Sequence, residues 1–202
     1  MIRMNSILIQ CQIIAVILGS LTFSSLYAEE QWKFTVNQYD LRETYIDQQA
    51  DLLGVPCASR LKFICTQDQK GTTGYLTMEF TIAPYSKIAG FDFEFFEGPD
   101  ASVGGKKLLS ITLAKAGKQI RFQESLGGWV SAEVEDGFVF GVGTPTKNRN
   151  GSMRKVINQI TGGAETIEVA VTDCKNSSKI VSVIFPVANG RESFKSLLKG
   201  IK

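Results

Sequence analysis

Three groups of side chains in this sequence are of a type that can do chemistry: cysteines, carboxylates and a cluster of cations. The chain has 202 residues, four cysteines and no histidine. Without histidine there is no His-based triad, no histidine-ligated zinc or haem, and no general base whose ordinary pKa lies near neutral. A catalyst of this composition would depend on a carboxylate, lysine, tyrosine or cysteine. The sequence therefore predicts no catalytic residue, no metal site and no cofactor.

The cysteines indicate an oxidising compartment. Cys57 and Cys65 are eight positions apart, a spacing that we expect to close a small loop across a turn or hairpin as a disulfide. Cys11 lies in an N-terminal segment that we expect to be removed on export, and Cys174 is then left over as a free thiol in a polar turn. An odd cysteine in a secreted protein points to an intermolecular bond or a reactive group, with an inert thiol as the alternative.

The carboxylates and cations suggest two further candidates. Glu133 and Glu135 would share one face of a strand, as a pair of glycosidase acids could, although acidic residues on an outward strand face are ordinarily just solvated. We therefore predict no enzyme. Near the start of a predicted helix, free backbone N–H groups together with cations could bind a phosphate or carboxylate, the alternative being a solvated basic loop. The cations of this candidate anion site are Lys147, Arg149, Arg154 and Lys155.

The N-terminal segment predicts export. Residues 1–28 contain one charge, Arg3, then an apolar run whose densest part is far shorter than the ~20 residues of a membrane span. The segment ends in a small residue, Ala28, before Glu29. This is the pattern of a signal peptide. We expect a periplasmic or secreted protein with no integral membrane segment after the signal is removed.

The remaining sequence predicts a mainly β fold, an antiparallel β-sandwich or barrel. Residues 29–56 form an N-terminal strand and loop of the same domain, in which residues 39–53 read as loop or weak helix, and residues 57–202 form the β-sandwich domain. Alternation of apolar and polar residues is typical of half-buried strands. It covers residues 32–36, 76–82, 91–95, 109–113, 120–122, 129–134, 138–142, 167–171 and 181–185.

Two segments have helical spacing instead. A short helix near 152–161 has Ser152 as its predicted N-cap, an apolar stripe, and Gly162-Gly163 at its end. A C-terminal helix repeats apolar residues at Phe194, Leu197, Leu198 and Ile201.

The run of phenylalanines at residues 91–96 allows two interpretations. Phe91, Phe93 and Phe95 would face the core from one strand, which leaves Phe96 on the outward face. Phe96 could then begin an exposed binding patch, or all four rings could simply pack internally.

The order of these segments resembles that of the invasion-associated locus B family of exported bacterial proteins. The likeness lies in the segment from Cys57 to Gln67, the short helix with its Gly-Gly break, the hairpin at 166–187 and the final helix. The chain lacks the family's usual tryptophan before the first cysteine and its later cysteine pair. The resemblance implies a periplasmic or surface-associated accessory protein linked to host-cell invasion, and hence to virulence, with no catalytic residues.

Taken together, these features predict an exported, non-enzymatic protein that acts by contact with another macromolecule, expected to be a protein of the envelope or of a host. Its 22 basic and 20 acidic residues argue against a general nucleic-acid binder. One alternative is a secreted effector or inhibitor. The other is a carbohydrate- or lipid-binding module that uses residues 91–96 and Trp129, which exposed aromatic rings on a concave surface would favour.

Overall fold

The computed structural model describes residues 31–38, 41–66, 74–97 and 105–199. The predicted signal peptide, residues 1–28, lies outside these ranges. Strands make up 50% of the described residues, which are therefore mainly β as predicted. In chain order they are β1 (Lys33–Val36), β2 (Arg42–Leu52), β3 (Val55–Cys65), β4 (Tyr75–Ala83), β5 (Leu109–Lys115), β6 (Lys118–Glu124), β7 (Gly127–Val130), β8 (Phe138–Pro145), β9 (Thr166–Thr172) and β10 (Ile180–Pro186).

The strands form two antiparallel sheets that pack as a sandwich and do not close into a barrel. The larger sheet has the order β1-β2-β3-β4-β8-β7, and the smaller one has the order β10-β9-β5-β6. Apolar side chains from both sheets bury one shared core. Phe80 of the larger sheet and Phe185 of the smaller one meet edge to face, with their ring centroids 6.2 Å apart.

Two helices pack against this core, as predicted. Helix α1 (Ser152–Thr161) buries its apolar stripe completely and ends at Gly162. Its N-cap is Gly151, so Ser152 is the first helical residue and not the predicted cap. Helix α2 (Arg191–Leu197) buries Phe194 and Leu197, and Leu198 is partly buried just after it. The fourth apolar residue of its predicted stripe, Ile201, lies outside the described residues.

Strands β9 and β10 form the predicted hairpin. Val169 pairs with Val183, and Ile167 pairs with Phe185. Cys174 lies in the connection between the two strands, where the polar sequence placed it. Period-two alternation sufficed here because each strand has one buried and one outer face.

The prediction for residues 39–53 was wrong, because most of this segment is β2. Its eleven residues pair along their whole length with β3, through a two-residue turn at Leu53 and Gly54. Both turn residues have positive φ, 54° and 83°, which matches the twist of a tight hairpin. Alternation of apolar and polar residues does not reveal β2, because polar residues occupy both of its faces.

The predicted disulfide between Cys57 and Cys65 was also wrong. Both residues lie on the single strand β3, and they are not bonded to each other. Eight residues of extended chain separate their Cα atoms by about 26 Å, whereas a disulfide needs about 4.4–6.8 Å. Both side chains are buried at the same face of the sheet instead.

The phenylalanine run at 91–96 is not a strand. Residues 91–93 are irregular, and Glu94–Phe96 forms one 3₁₀ turn. Phe96, which the strand pattern placed outward, is fully buried. The ring of Phe96 meets that of Phe140 edge to face, with the ring centroids 5.2 Å apart. The interpretation as internal packing is therefore correct, and the exposed patch at Phe96 does not exist.

Candidate functional site

The outer face of the six-stranded sheet holds the candidate site, which strand register assembles. Pairing sets one residue from each strand side by side in a row: Lys33, Tyr45, Lys62, Glu79, Gly141 and Gly127. The adjacent row, two residues along each strand, contains Asp47, Arg60, Thr81, Val139 and Trp129. Side chains two residues apart project to the same side of a strand, here the side opposite the core. We call these two rows the outer sheet face.

One side of the outer sheet face contains an aromatic ring between two cations. The ring of Tyr45 has Arg60 4.9 Å and Lys33 5.4 Å from its centroid. Arg60 also donates two hydrogen bonds to its cross-strand partner Asp47, at 2.6 and 3.3 Å. The hydrogen bond to Asp47 is the main reason that the pKa of Arg60 is raised. This fork-to-carboxylate geometry holds the guanidinium in place over the tyrosine.

In the middle of the outer sheet face, one ammonium group meets two carboxylates. Nζ of Lys62 lies 3.0 Å from Oε2 of Glu79, its neighbour on β4, and 3.8 Å from Oε2 of Glu133. Only 11% of the Lys62 side chain is exposed. Burial works to lower the pKa of Lys62, but the hydrogen bond to Glu79 and the nearby carboxylate charges outweigh burial and raise it. Lys62 is therefore cationic at neutral pH.

A cavity of 180 Å³ opens beside this ion pair. Trp129 forms one wall, and 44% of its surface remains exposed. The Cη2–Cζ3 edge of the indole lies against Gly141, where a Cβ atom would approach it to 2.6 Å. The absence of a side chain at Gly141 thus lets the indole lie against β8. The cavity is also lined by Arg60, Lys62, Glu79, Thr81, Val139 and residues 130–134.

The two glutamates singled out by the sequence do not form a pair on a strand. Strand β7 ends at Val130, so Glu133 and Glu135 lie in the loop that leads to β8. Strands β7 and β8 form a hairpin whose loop spans residues 131–137. Glu133 reaches back over the outer sheet face to Lys62, whereas Glu135 does not line the cavity.

The four cations of the predicted anion site have different surroundings. Arg154 turns back and donates a hydrogen bond of 2.9 Å to the carbonyl of Thr146, which closes the loop before α1. Lys147 and Arg149 are exposed in that loop. Lys155 alone of the four lines the 510 Å³ cleft at the start of α1, where a different cation, Arg121 of β6, is also present.

Cys174 is half-buried beside a carboxylate. Its Sγ atom lies 3.7 Å from Oδ2 of Asp92, which also accepts a 2.8 Å ion pair from Lys175. Burial and the charges of Asp92 and Asp173 raise the pKa of the Cys174 thiol. A thiol so placed is mainly protonated at neutral pH, and this makes it a weak nucleophile.

No family model, curated protein or solved structure matches this chain. Within the described ranges, no group of three or more acidic, cysteine or histidine side chains could hold a metal ion. None of the helices described is long and apolar enough to cross a membrane.

Sequence reasoning missed most of the outer sheet face. The alternation at residues 76–82 places Glu79 and Thr81 on the outward face of β4, and Trp129 belongs to the carbohydrate- or lipid-binding alternative. The partners Asp47 and Arg60 went unnoticed because β2 was not predicted and β3 was read as a turn. A signal was present, since apolar and small residues alternate with Arg60 and Lys62 along β3.

Proposed function

We propose that this protein is an exported, non-enzymatic binding protein that contacts another macromolecule through its outer sheet face. The observation on which this depends is the exposed indole of Trp129 beside a cavity, on a face that also presents Tyr45 and Arg60. Trp, Tyr and Arg are the residues that most often dominate binding energy at interfaces. Cross-strand ion pairs hold the polar groups of this face in place before any ligand arrives.

Export is supported by the sequence of residues 1–28, with their basic start, short apolar middle and small residue before Glu29. The resemblance to the invasion-associated locus B family adds a periplasmic or surface-associated location, with a partner in the envelope or on a host. N-terminal sequencing of the protein recovered from outside the cytoplasm should find a start close to Glu29. A stable product that retains Met1 would contradict export.

The absence of catalysis is supported by the chemistry of the available groups. The sequence contains no histidine, the thiol of Cys174 has a raised pKa, and the side chain of Glu133 is 70% exposed to screening by water. We expect no turnover of glycan, peptide or ester substrates. Reproducible turnover would contradict this expectation if Glu133→Gln, Glu79→Gln or Cys174→Ser abolished it, because the protein would then be an enzyme.

Site-specific photo-crosslinking tests the contact itself. A photoreactive amino acid in place of Glu133 reports on the outer sheet face. The same amino acid in place of Ile184, which is 59% exposed on the other sheet, serves as the matched control. In intact producing cells, we expect a discrete crosslinked product from position 133 that the added substitution Trp129→Ala weakens. No product, or equal products from both positions, would contradict the proposal.

A further inference from the structure

We propose that the cavity beside Trp129 binds one sugar ring of a neutral glycan. The inference rests on the proposed function, since it names the ligand class of the outer sheet face. The cavity volume of 180 Å³ is comparable to that of one pyranose with its hydroxyl groups. A pocket of this size with one aromatic wall and several convergent polar groups has the general form of a small-ligand site.

The aromatic wall suits the apolar side of a pyranose. A pyranose ring presents a flat patch of C–H groups, and such groups pack against the electron-rich face of an indole. Gly141 leaves room for the indole of Trp129 against β8, because any side chain there would meet the ring at 2.6 Å. The backbone of the neighbouring strand β8 therefore sets the position of the Trp129 indole. Because the indole is already in place, little ordering of this side chain is needed when a ligand binds.

The polar lining suits a neutral ligand. Two cations, Arg60 and Lys62, and two carboxylates, Glu79 and Glu133, line the cavity, so its charges balance. Lys62 lies within 3.8 Å of both carboxylates. Sugar hydroxyls both donate and accept hydrogen bonds, and can bond to ammonium and carboxylate groups side by side. A phosphate or uronate would instead need a cation that is not already paired.

Other ligand classes fit this surface less well. A protein interface of standard size buries about 800 Å² on each partner around an apolar centre. The cavity is far smaller than such an interface and is bordered by the ion pairs of Arg60 with Asp47 and of Lys62 with Glu79, so a protein on the outer sheet face would lie across the cavity without filling it. A lipid would need an apolar pocket, and the phenylalanines at 91, 93 and 96 that the sequence offered for one are buried in the core.

Titration of the purified protein with neutral hexasaccharides tests the inference. The probes are cellohexaose, xylohexaose, maltohexaose and chitohexaose, with hexagalacturonate as the acidic comparison. Calorimetry should show at least one neutral probe binding with a Kd below about 1 mM. The bound sugar should also shield Trp129 from acrylamide quenching, while the other tryptophan, Trp32, is buried throughout. Binding of none of the neutral probes, or of hexagalacturonate alone, would overturn the inference.

Matched glycine variants test whether sugar binding depends on the position of the Trp129 indole. Gly141→Ala displaces the indole and Trp129→Ala removes it, so each should weaken binding about tenfold or more. Gly127→Ala is the control, because it makes the same change in the same row but meets no atom within 4 Å. Glu133→Gln, on an exposed loop, should weaken binding several-fold without affecting folding.

Equal affinity in Trp129→Ala and in the unaltered protein would overturn the sugar site. A protein crosslinked at position 133 in a Trp129-dependent manner, with no sugar binding, would overturn the sugar site and leave the proposed function in place. If neither a Trp129-dependent crosslink at position 133 nor sugar binding were observed, both proposals would be wrong.

Discussion

Two aromatic regions lie on opposite sides of strand β8, and they differ in what covers the rings. On the inner side, Phe138 and Phe140 contact the rings of residues 91, 93 and 96, and all are buried. On the outer side, the edge of the Trp129 indole lies against Gly141, and nearly half of the Trp129 surface is exposed. Each region packs rings against the same strand. Only the outer region leaves a ring free to contact a ligand.

The largest expected effect concerns the inner region. Phe96→Ala and Phe140→Ala should each lower the free energy of unfolding by about 3–5 kcal/mol, because each leaves a cavity in the closed core. Trp129→Ala should change it by less than about 1 kcal/mol, since the indole is half-exposed. Urea denaturation of the three variants measures this contrast. A destabilisation by Trp129→Ala as large as that of Phe96→Ala would show that the indole is a structural residue.

The next effect compares two adjacent glycines of β7. A Cβ at Gly128 would meet the ring of Phe138 at 2.5 Å on the inner side, whereas one at Gly127 meets nothing within 4 Å. Gly128→Ala should therefore cost about 1–3 kcal/mol through overpacking. Gly127→Ala should leave stability almost unchanged. Thermal melts of both variants check the expectation, and similar melting temperatures would contradict the assigned faces of β7.

A smaller effect concerns acid. Asp92 lies within the buried phenylalanine segment, and its hydrogen bond with Lys175 is the main reason that its pKa is lowered. A lowered folded-state pKa contributes stability that is present above the unfolded-state pKa and is lost as pH falls through the folded-state value. Melting temperatures measured from about pH 7 to about pH 2 should therefore fall less steeply for Asp92→Asn than for the unaltered protein. If melting temperature fell equally steeply with pH in both proteins, the contact between Asp92 and Lys175 would not stabilise the phenylalanine segment.

Asp173 adds to the same acid dependence. Burial works to raise the pKa of Asp173, but backbone N–H groups of Asp92, Asn176 and Lys175 donate to its carboxylate and lower the pKa overall. Because one of these N–H groups belongs to Asp92, the carboxylate of Asp173 attaches the phenylalanine segment to the β9–β10 hairpin. Asp173→Asn should consequently raise the pH at which the inner region loosens, as detected by phenylalanine and tyrosine resonances in NMR spectra.

The smallest effect concerns the reactivity of Cys174. Burial and the charges of Asp92 and Asp173 raise the pKa of this thiol, so alkylation by iodoacetamide should be slow at neutral pH and accelerate as pH rises. Asp92→Asn removes one negative charge, which should lower the thiol pKa and speed alkylation several-fold. Cys57 and Cys65 are buried and should not react in the folded state. An unchanged rate in Asp92→Asn would contradict this placement of the thiol.

The difference between the two regions also explains which predictions from sequence succeeded. The alternation at residues 76–82, 109–113 and 167–171 predicted β4, β5 and β9 because an inner face must be apolar wherever the strand lies. The same rule failed at residues 91–96, where the chain turns and buries three of its four phenylalanines. Alternation shows that a segment can have two faces, but it does not show that the segment is extended.

The candidate site depended on information that a single strand does not contain. Asp47 is thirteen positions before Arg60, and Trp129 is twelve before Gly141, yet all four residues lie on one face. Their meeting depends on the turn at Leu53 and Gly54 and on the order in which β8 joins β4. A shift of one residue in any of these pairings would turn the side chains to the other face of the sheet.

The sequence by itself determined the chemistry that this protein can use and the positions of most of its strands. The absence of histidine limits the available groups, and period-two patterns reflect the local need to bury one side of each strand. Only the tertiary structure decided which rings are core and which are surface, and which charges are neighbours. The reason is physical: burial of a ring and pairing of a charge depend on what other strands place against them, and register sets those contacts across the sheet.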